Sequence, residues 1–258
     1  MAPATPVLLL PPSEGKAPGG HGPPVDWGGG AFGRLATERI AVRDAVRRAL
    51  RAGGGPKLLG VSGAHLDRAL DEWRDIDTAP TAPAAARYSG VVWDALDLPA
   101  LPAPARRRAM SRIVVPSGLW GLVGAADPIP AYRLKMAARL DGLGALAAWW
   151  RPAVSAALAT RAGRGAVVDL LPLEHRAAID PGALAPGRLV RVDIVEDGPG
   201  GRRAVGHAGK QVKGRLARAI VEHDARTADD VACVPVDGLS LASVERGDIT
   251  QVTFLRRA

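Results

Sequence analysis

The stretch "VLLLPPSEGKAPGG", Val7–Gly20, sets the character of the chain. Four apolar residues, Val7–Leu10, stop at Pro11-Pro12, and proline cannot donate to a sheet ladder. The run therefore reads as a short strand that ends in a loop carrying Ser13, Glu14, Gly15 and Lys16. A phosphate-cradling Walker loop needs G-x-x-x-x-G-K-[ST]. This loop has Gly15-Lys16 but neither the first glycine nor the following hydroxyl, so a P-loop is not expected. Lys16 can still hold an anion, or serve as nucleophile or base if its pKa is depressed, with Glu14 as its partner. The plainer alternative is a solvated salt bridge.

Outward from this strand, helices and strands alternate. A Gly/Pro-rich loop runs to Gly30. Arg34–Ala52 has helical spacing of Leu35, Ile40, Val42, Val46 and Leu50, with arginines on the opposite face. A basic helix end at Arg106–Arg108 leads into a buried strand, Ile113–Val115, which meets the loop Pro116-Ser117-Gly118. A helix carries Trp149-Trp150, with Pro152 at its start or at a kink. "GAVVDLLPLEH" is a strand ending at Asp169, followed by Glu174 and His175. "GRLVRVDIVED" and "RRAVGHAGKQ" form a hairpin around "DGPGG". "KQVKGRLARAIVEHD" is a basic amphipathic helix, and "GDITQVTFLRR" closes the chain as a strand. The mixture predicts an α/β (α+β mixed) fold, and with no repeat and no long linker a single domain over 1–258.

Composition narrows the function classes. Hydrophobic residues make up 47% of the 258 and charged residues 23%, the range of a globular chain with a core of its own. No apolar run reaches the roughly 20 residues of a bilayer span, and the N-terminus lacks the basic start and long apolar run of a leader. We therefore expect a cytoplasmic protein without membrane partners. Cys233 is the sole cysteine and, flanked by apolar residues in "DVACVPVDG", reads as a core thiol. His65, His175, His207 and His223 show no metal-binding spacing, so no metal or cofactor is expected. The net charge of +8 favours polyanionic partners. Only five of the 34 basic residues are lysines: Lys16, Lys57, Lys135, Lys210 and Lys213. A lysine in so arginine-rich a chain marks places where a compact ammonium or a tunable pKa matters.

Two further stretches carry chemistry. "PKLLGVSGAHLDRALDEW", Pro56–Trp73, has the apolar–Gly–apolar–x–Gly pattern of a helix-hairpin-helix turn, whose backbone amides can hold a nucleic-acid phosphate. Lys57, Gly60, Ser62, Gly63 and Arg68 are its candidate DNA- or phosphate-binding residues. An ordinary turn capped by Ser62 is the alternative. "HAGKQVKGRLAR" gathers His207, Lys210, Lys213, Arg215 and Arg218, with Lys210, Lys213 and Ala217 on one helical face. Lys213 and Arg218 join the phosphate-binding candidates, against a solvated basic face. Trp149-Trp150 is read as core, because stacking platforms for single strands need more aromatics than two Tyr and two Phe supply.

Taken in order, "LLLPPSEGK", "SGLWGLVGAADPIPAYRLKM", "VVDLLPLEH" and "GKQVKGRLARAIVEH" resemble the YaaA family of peroxide-stress proteins over nearly the whole chain. The pattern is carried here by Lys16, Ser117, Gly118, Tyr132, Arg133, Asp169, Glu174, Lys210, Gly214 and Arg218. The resemblance implies one compact α/β domain of unusual topology with a helix-hairpin-helix element, falling at Lys57–Leu70. It also implies DNA binding, double-stranded DNA first, and a role in limiting oxidative damage linked to free intracellular iron. The mixed chemistry of Lys16, Ser117, Arg133, Glu174 and Lys210 suits a second reading, an enzyme acting on a nucleotide, nucleoside or other small anionic ligand. Convergence of those side chains in one concavity is the feature that favours it.

Overall fold

A computed structural model describes residues 5–198, 201–205 and 208–256. His207 and the Pro199-Gly200 centre of the expected hairpin turn lie outside the described residues. Eight strands form the main sheet: β1 (Val7–Leu9), β2 (Ile113–Ser117), β3 (Gly121–Gly124), β4 (Val167–Asp169), β5 (Leu189–Gly198), β6 (Gly201–Ala204), β7 (Leu239–Glu245) and β8 (Ile249–Arg256). Their spatial order is β7-β8-β5-β4-β1-β2-β3, with β6 pairing the far end of β5. The run β8-β5-β4-β1-β2 is parallel throughout. β3, β6 and β7 are antiparallel additions.

The burial pattern follows from this topology. β1, β2 and β4 lie in the middle and are buried along their whole length, as their continuous apolar runs require. β8, nearer the edge, alternates buried and half-buried residues. Leu8 pairs Ile113 on one side and Val168 on the other. The chain leaves β1, crosses to β2 on one flank, and later returns as β4 on the other flank. β1 is thus a topological switch point, where the crossovers on its two sides diverge and leave a crevice beyond the carboxyl ends of the strands.

The helices are α1 (Ala36–Arg51), α2 (Gly55–Leu59), α3 (Ala64–Arg74), α4 (Ala84–Arg87), α5 (Val91–Leu96), α6 (Ala103–Arg112), α7 (Leu146–Ala162), α8 (Leu173–Arg176), α9 (Ala208–Glu222) and α10 (Ala228–Cys233). No helix among the described residues is long and apolar enough to cross a membrane. α7 runs through Pro152 without ending. Trp150 is buried, its indole N–H donating to Gly118 O at 2.8 Å, and it packs on Gly121, where a Cβ would stand 2.6 Å from the ring. Trp149 is half-buried beside it. In α9, Gly214 touches α5: a Cβ there would meet Val92 O at 2.3 Å and Ala95 Cβ at 2.7 Å.

Three local expectations are corrected. The arginine face of α1 is not all solvated: Arg39 is buried, and Ile40 is exposed instead. The Arg39 guanidinium donates to four backbone carbonyls, those of Trp27, Gly29, Trp120 and Leu122, at 3.0–3.1 Å. It thereby satisfies loop and edge-strand carbonyls that hydrophobic side chains would leave bare. Cys233 is exposed rather than a core thiol, because the short α10 turns Val231 and Val234 inward. The turn before α3 is not capped by Ser62. Gly63 is the N-cap, at φ +54°, with no side-chain cap hydrogen bond.

Candidate anion pocket at the sheet's switch point

Pro11 and Pro12 end β1, and the loop after them folds over the carboxyl edge of the sheet. Ser13 fixes its shape: its hydroxyl donates to Gly15 O and accepts from Ser89 N. Lys16 forms an isolated antiparallel bridge with Tyr88, and Ala17 N donates to Arg87 O at 2.8 Å. The buried Arg87 side chain clamps the same strip by donating to Ala17 O, Pro80 O and Ile129 O.

Lys16 is consequently only 8% exposed. Its Nζ donates to Ser13 O at 2.7 Å and Glu14 O at 3.3 Å. It also lies 4.3 Å from the centre of the Tyr132 ring and 5.7 Å from that of Tyr88. Burial pushes the Lys16 pKa down to about 7, the charge of Arg133 adding to the effect against Glu72 and Glu14. The expected Lys16–Glu14 ion pair does not form. The Glu14 carboxylate turns to Arg133 Nη2 at 2.8 Å and Lys135 Nζ at 3.3 Å. Partial burial works to raise the Glu14 pKa, but Lys135 and Arg133 outweigh it and hold it below its ordinary value.

The opposite wall comes from the segment after β3. Arg133 is tied to the α2–α3 turn, its Nε donating to Leu59 O at 3.0 Å, and its own carbonyl accepts from Trp73 Nε1 of α3 at 2.9 Å. The Lys135 side chain crosses Gly60, where a Cβ would stand 3.3 Å from Nζ. The third wall is the end of β4. Asp169 Oδ1 accepts from Leu171 N at 2.8 Å, and Asp169 Oδ2 meets Arg176 at 2.9 Å. Lys213 donates to Leu171 O at 3.2 Å. These bonds hold the turn that presents α8, with Glu174 exposed at the rim and His175 buried. Burial, and then the charge of Lys16, drive the His175 pKa down to about 4, so its imidazole is neutral at pH 7.

The enclosed cleft is lined by Pro12, Ser13, Glu14, Lys16, Arg133, Lys135, Glu174 and His175, with Leu134 and Met136. It holds about 360 Å³, open mouth included. Behind it stands a hydroxyl chain: Ser117 Oγ lies 2.7 Å from the Tyr132 hydroxyl, which lies 2.9 Å from the Tyr88 hydroxyl. Ser117 also accepts from Leu119 N and Trp120 N. Burial drives the Tyr132 pKa up to about 12 and raises that of Tyr88 well above its usual value, so both stay protonated.

Of the residues singled out in the sequence, Lys16, Arg133 and Glu174 meet in this cleft; Ser117 does not line it and lies fully buried, its hydroxyl on that of Tyr132. Lys210 is exposed on the first turn of α9 and does not line it. Lys213 belongs to the brace under α8. Arg218 donates to the carbonyls of Leu96, Asp97 and Ala100, joining α9 to the end of α5. Lys57, Gly60, Ser62, Gly63 and Arg68 are exposed on α2, the turn and α3, and Arg68 also donates to Lys16 O at 3.2 Å. Sequence reasoning assigned no role in the site to Lys135, His175 or Tyr88. The signals the sequence offers are the scarcity of lysine for Lys135 and the place after Glu174 for His175. Tyr88 carries no local signal beyond being one of two tyrosines.

The fold and the site define an α/β protein with a mostly parallel sheet and a charged cleft beyond the carboxyl ends of its strands, in which a buried lysine stands near an arginine. The model of the family described as peroxide stress protein YaaA matches residues 8–244, and the chain belongs to that family. It is 39% identical over 217 residues to a UPF0246 protein of Streptomyces coelicolor, covering 83% of this chain and 82% of the relative. A UPF0246 protein of Corynebacterium glutamicum is 36% identical over 237 residues, 88% and 91% of the two chains. One of Ruegeria pomeroyi is 32% identical over 215 residues, 77% and 82%.

Proposed function

We propose that this peroxide stress family member is a cytoplasmic enzyme acting on a nucleotide, a nucleoside or another small molecule, with a phosphate- or carboxylate-bearing substrate favoured by the charges of the cleft. The supporting observation is convergence. Lys16, Arg133 and Glu174, distant in sequence, line one cleft at the switch point of the sheet, with a lysine near neutrality and a neutral histidine in the same space. Arg133 and Lys135 would receive the anion, displacing part of the Glu14 carboxylate's hold on them, and Lys16 would act as base or nucleophile. Calorimetric titration with inorganic phosphate and with nucleoside mono- and triphosphates tests this. Binding weakened at least tenfold in Arg133→Met supports it, and equal binding by wild type and Arg133→Met refutes it.

A second reading is DNA binding that limits damage linked to free iron. It is supported by the net charge of +8 and by the exposed Gly60–Gly63 turn leaning on Arg133 and Lys135. A helix-hairpin-helix contact there would set a duplex beside the cleft, where a base taken out of the stack could enter. Affinity for a short duplex should fall steeply between 50 and 200 mM salt (by about tenfold or more), and Lys57→Glu should weaken it. Salt-insensitive binding, or none, removes DNA from the account.

A further inference from the structure

Lys16 is bonded in an unusual way for a lysine. Among the described residues no carboxylate lies within ion-pair distance of its Nζ; its partners are two carbonyl oxygens of its own loop, Ser13 O and Glu14 O. A neutral primary amine has two N–H groups and one lone pair. Two carbonyl acceptors satisfy both N–H groups and leave the lone pair unused. The nearby cations, Arg133 and Lys135, occupy the same cleft, where they hold the exposed Glu14 carboxylate that an incoming anion would displace. Such an arrangement suits an electrophile tethered to a negative group: the anion anchors on Arg133 and Lys135 and brings a carbon to the amine.

We propose that the Lys16 amine condenses with the carbonyl carbon of an aldehyde or ketone bearing a phosphate or carboxylate, forming an imine in the cleft. This inference rests on the reading of the cleft as an anionic-substrate site and names the substrate's reactive group. The Nζ lone pair forms the C–N bond as the carbonyl π pair moves to oxygen. Nitrogen gives up a proton and oxygen gains one, forming a carbinolamine. A second proton on that hydroxyl lets it leave as water, the nitrogen lone pair becoming the C=N bond, and loss of the remaining N–H proton gives the neutral imine. The balance is amine plus carbonyl to imine plus water, with no oxidant or reductant. His175 and Glu174 line the same cleft, His175 Nδ1 standing 3.3 Å from Glu174 Oε1 without hydrogen-bond geometry. They are the groups placed to carry these protons.

The test uses the full chain and borohydride trapping at pH 7. Pyridoxal 5′-phosphate serves as the anionic aldehyde and pyridoxal as its counterpart without phosphate. A duplex with one abasic site distinguishes a nucleic-acid aldehyde from a free one. The reduced adducts are located by peptide mapping, which five lysines make unambiguous. Adduct at Lys16 is expected in at least tenfold excess over each of Lys57, Lys135, Lys210 and Lys213, reduced at least tenfold without the phosphate and absent in Lys16→Arg. Half-maximal labelling of Lys16 should fall near neutrality, set by Arg133, Glu14, Glu72, His175, Tyr88 and Tyr132 around it. Label spread over the exposed lysines with Lys16 unmodified overturns the inference. Phosphate binding measured alongside separates the outcomes: intact binding with no Lys16 adduct leaves the anion pocket standing, and loss of both removes the pocket as well.

Discussion

Lys16 and His175 make the cleft's chemistry visible in folding stability. The Lys16 pKa is lowered in the folded chain from 10.5 to about 7, so between those values the unfolded chain binds more protons and stability rises with pH. The cost of burying the amine is fully present below pH 7 and fades toward pH 10.5. Lys16→Met should therefore be favoured over wild type most at pH 7 and below, its relative advantage shrinking by a few kcal/mol toward pH 10, at about 1.4 kcal/mol per pH unit. Urea denaturation at pH 7 and 10 measures this, and a pH-independent difference contradicts it. His175 behaves likewise over a lower window. Its pKa falls from 6.5 to about 4 on folding, so wild type loses stability as pH drops from about 6.5 to 4. His175→Phe should remove roughly 3 kcal/mol of that loss, read as a flatter acid-unfolding curve.

At the scale of elements, the chain is legible where one residue type repeats and obscure where a single contact decides. β1, β2, β4, α7 and α9 were each readable from an apolar run or a helical period, with ends off by a residue or two. β7 was not, because "LSLASVE" alternates weakly and its residues are half-buried or exposed at the sheet edge. Arg39 was misplaced because periodicity counts a charge as solvated, while four bare carbonyls in the interior need a donor. Gly214 illustrates the reverse, since a mid-helix glycine looks like a weakness. Here it lets α9 meet the backbone of α5. Gly214→Ala gains about 1 kcal/mol of helix propensity. The clash with Val92 O and Ala95 should cost more, for a net destabilisation of about 1–3 kcal/mol. Chemical denaturation checks the sign, and a stabilised variant would mean that α5 can move aside.

Over the whole molecule, the candidate cleft is half legible in the sequence. The sequence marks Lys16, Arg133 and Glu174 individually as polar residues after strands or in loops. Their meeting depends on β1 lying between β2 and β4, and nothing local in the sequence encodes strand order. The basic face of α9 shows the same limit: the sequence marks Lys213 and Arg218 as cations, but not that they donate to the carbonyls of Leu171 and of the end of α5. The topology also predicts a gradient of protection from exchange. Amides of β1, β2 and β4, flanked on both sides by strands, should exchange slowest. Those of β7, an edge strand with an irregularity between Leu241 and Ser243, should exchange at least tenfold faster. Hydrogen exchange by mass spectrometry would show it, and uniform rates across the sheet would not fit this architecture.

The two prolines that stop β1 divide labour along the chain. Leu8 and Leu9 are held by strands on both sides, and Leu10 N still bonds Val114 O. Beyond Pro12 the backbone owes the sheet nothing. Glu14, the exposed carboxylate of this loop, can thus be replaced without touching the ladder of β1, while Ser13 and Lys16 keep the loop's shape. A lineage can therefore vary the rim of the cleft at this one position while its sheet stays as it is.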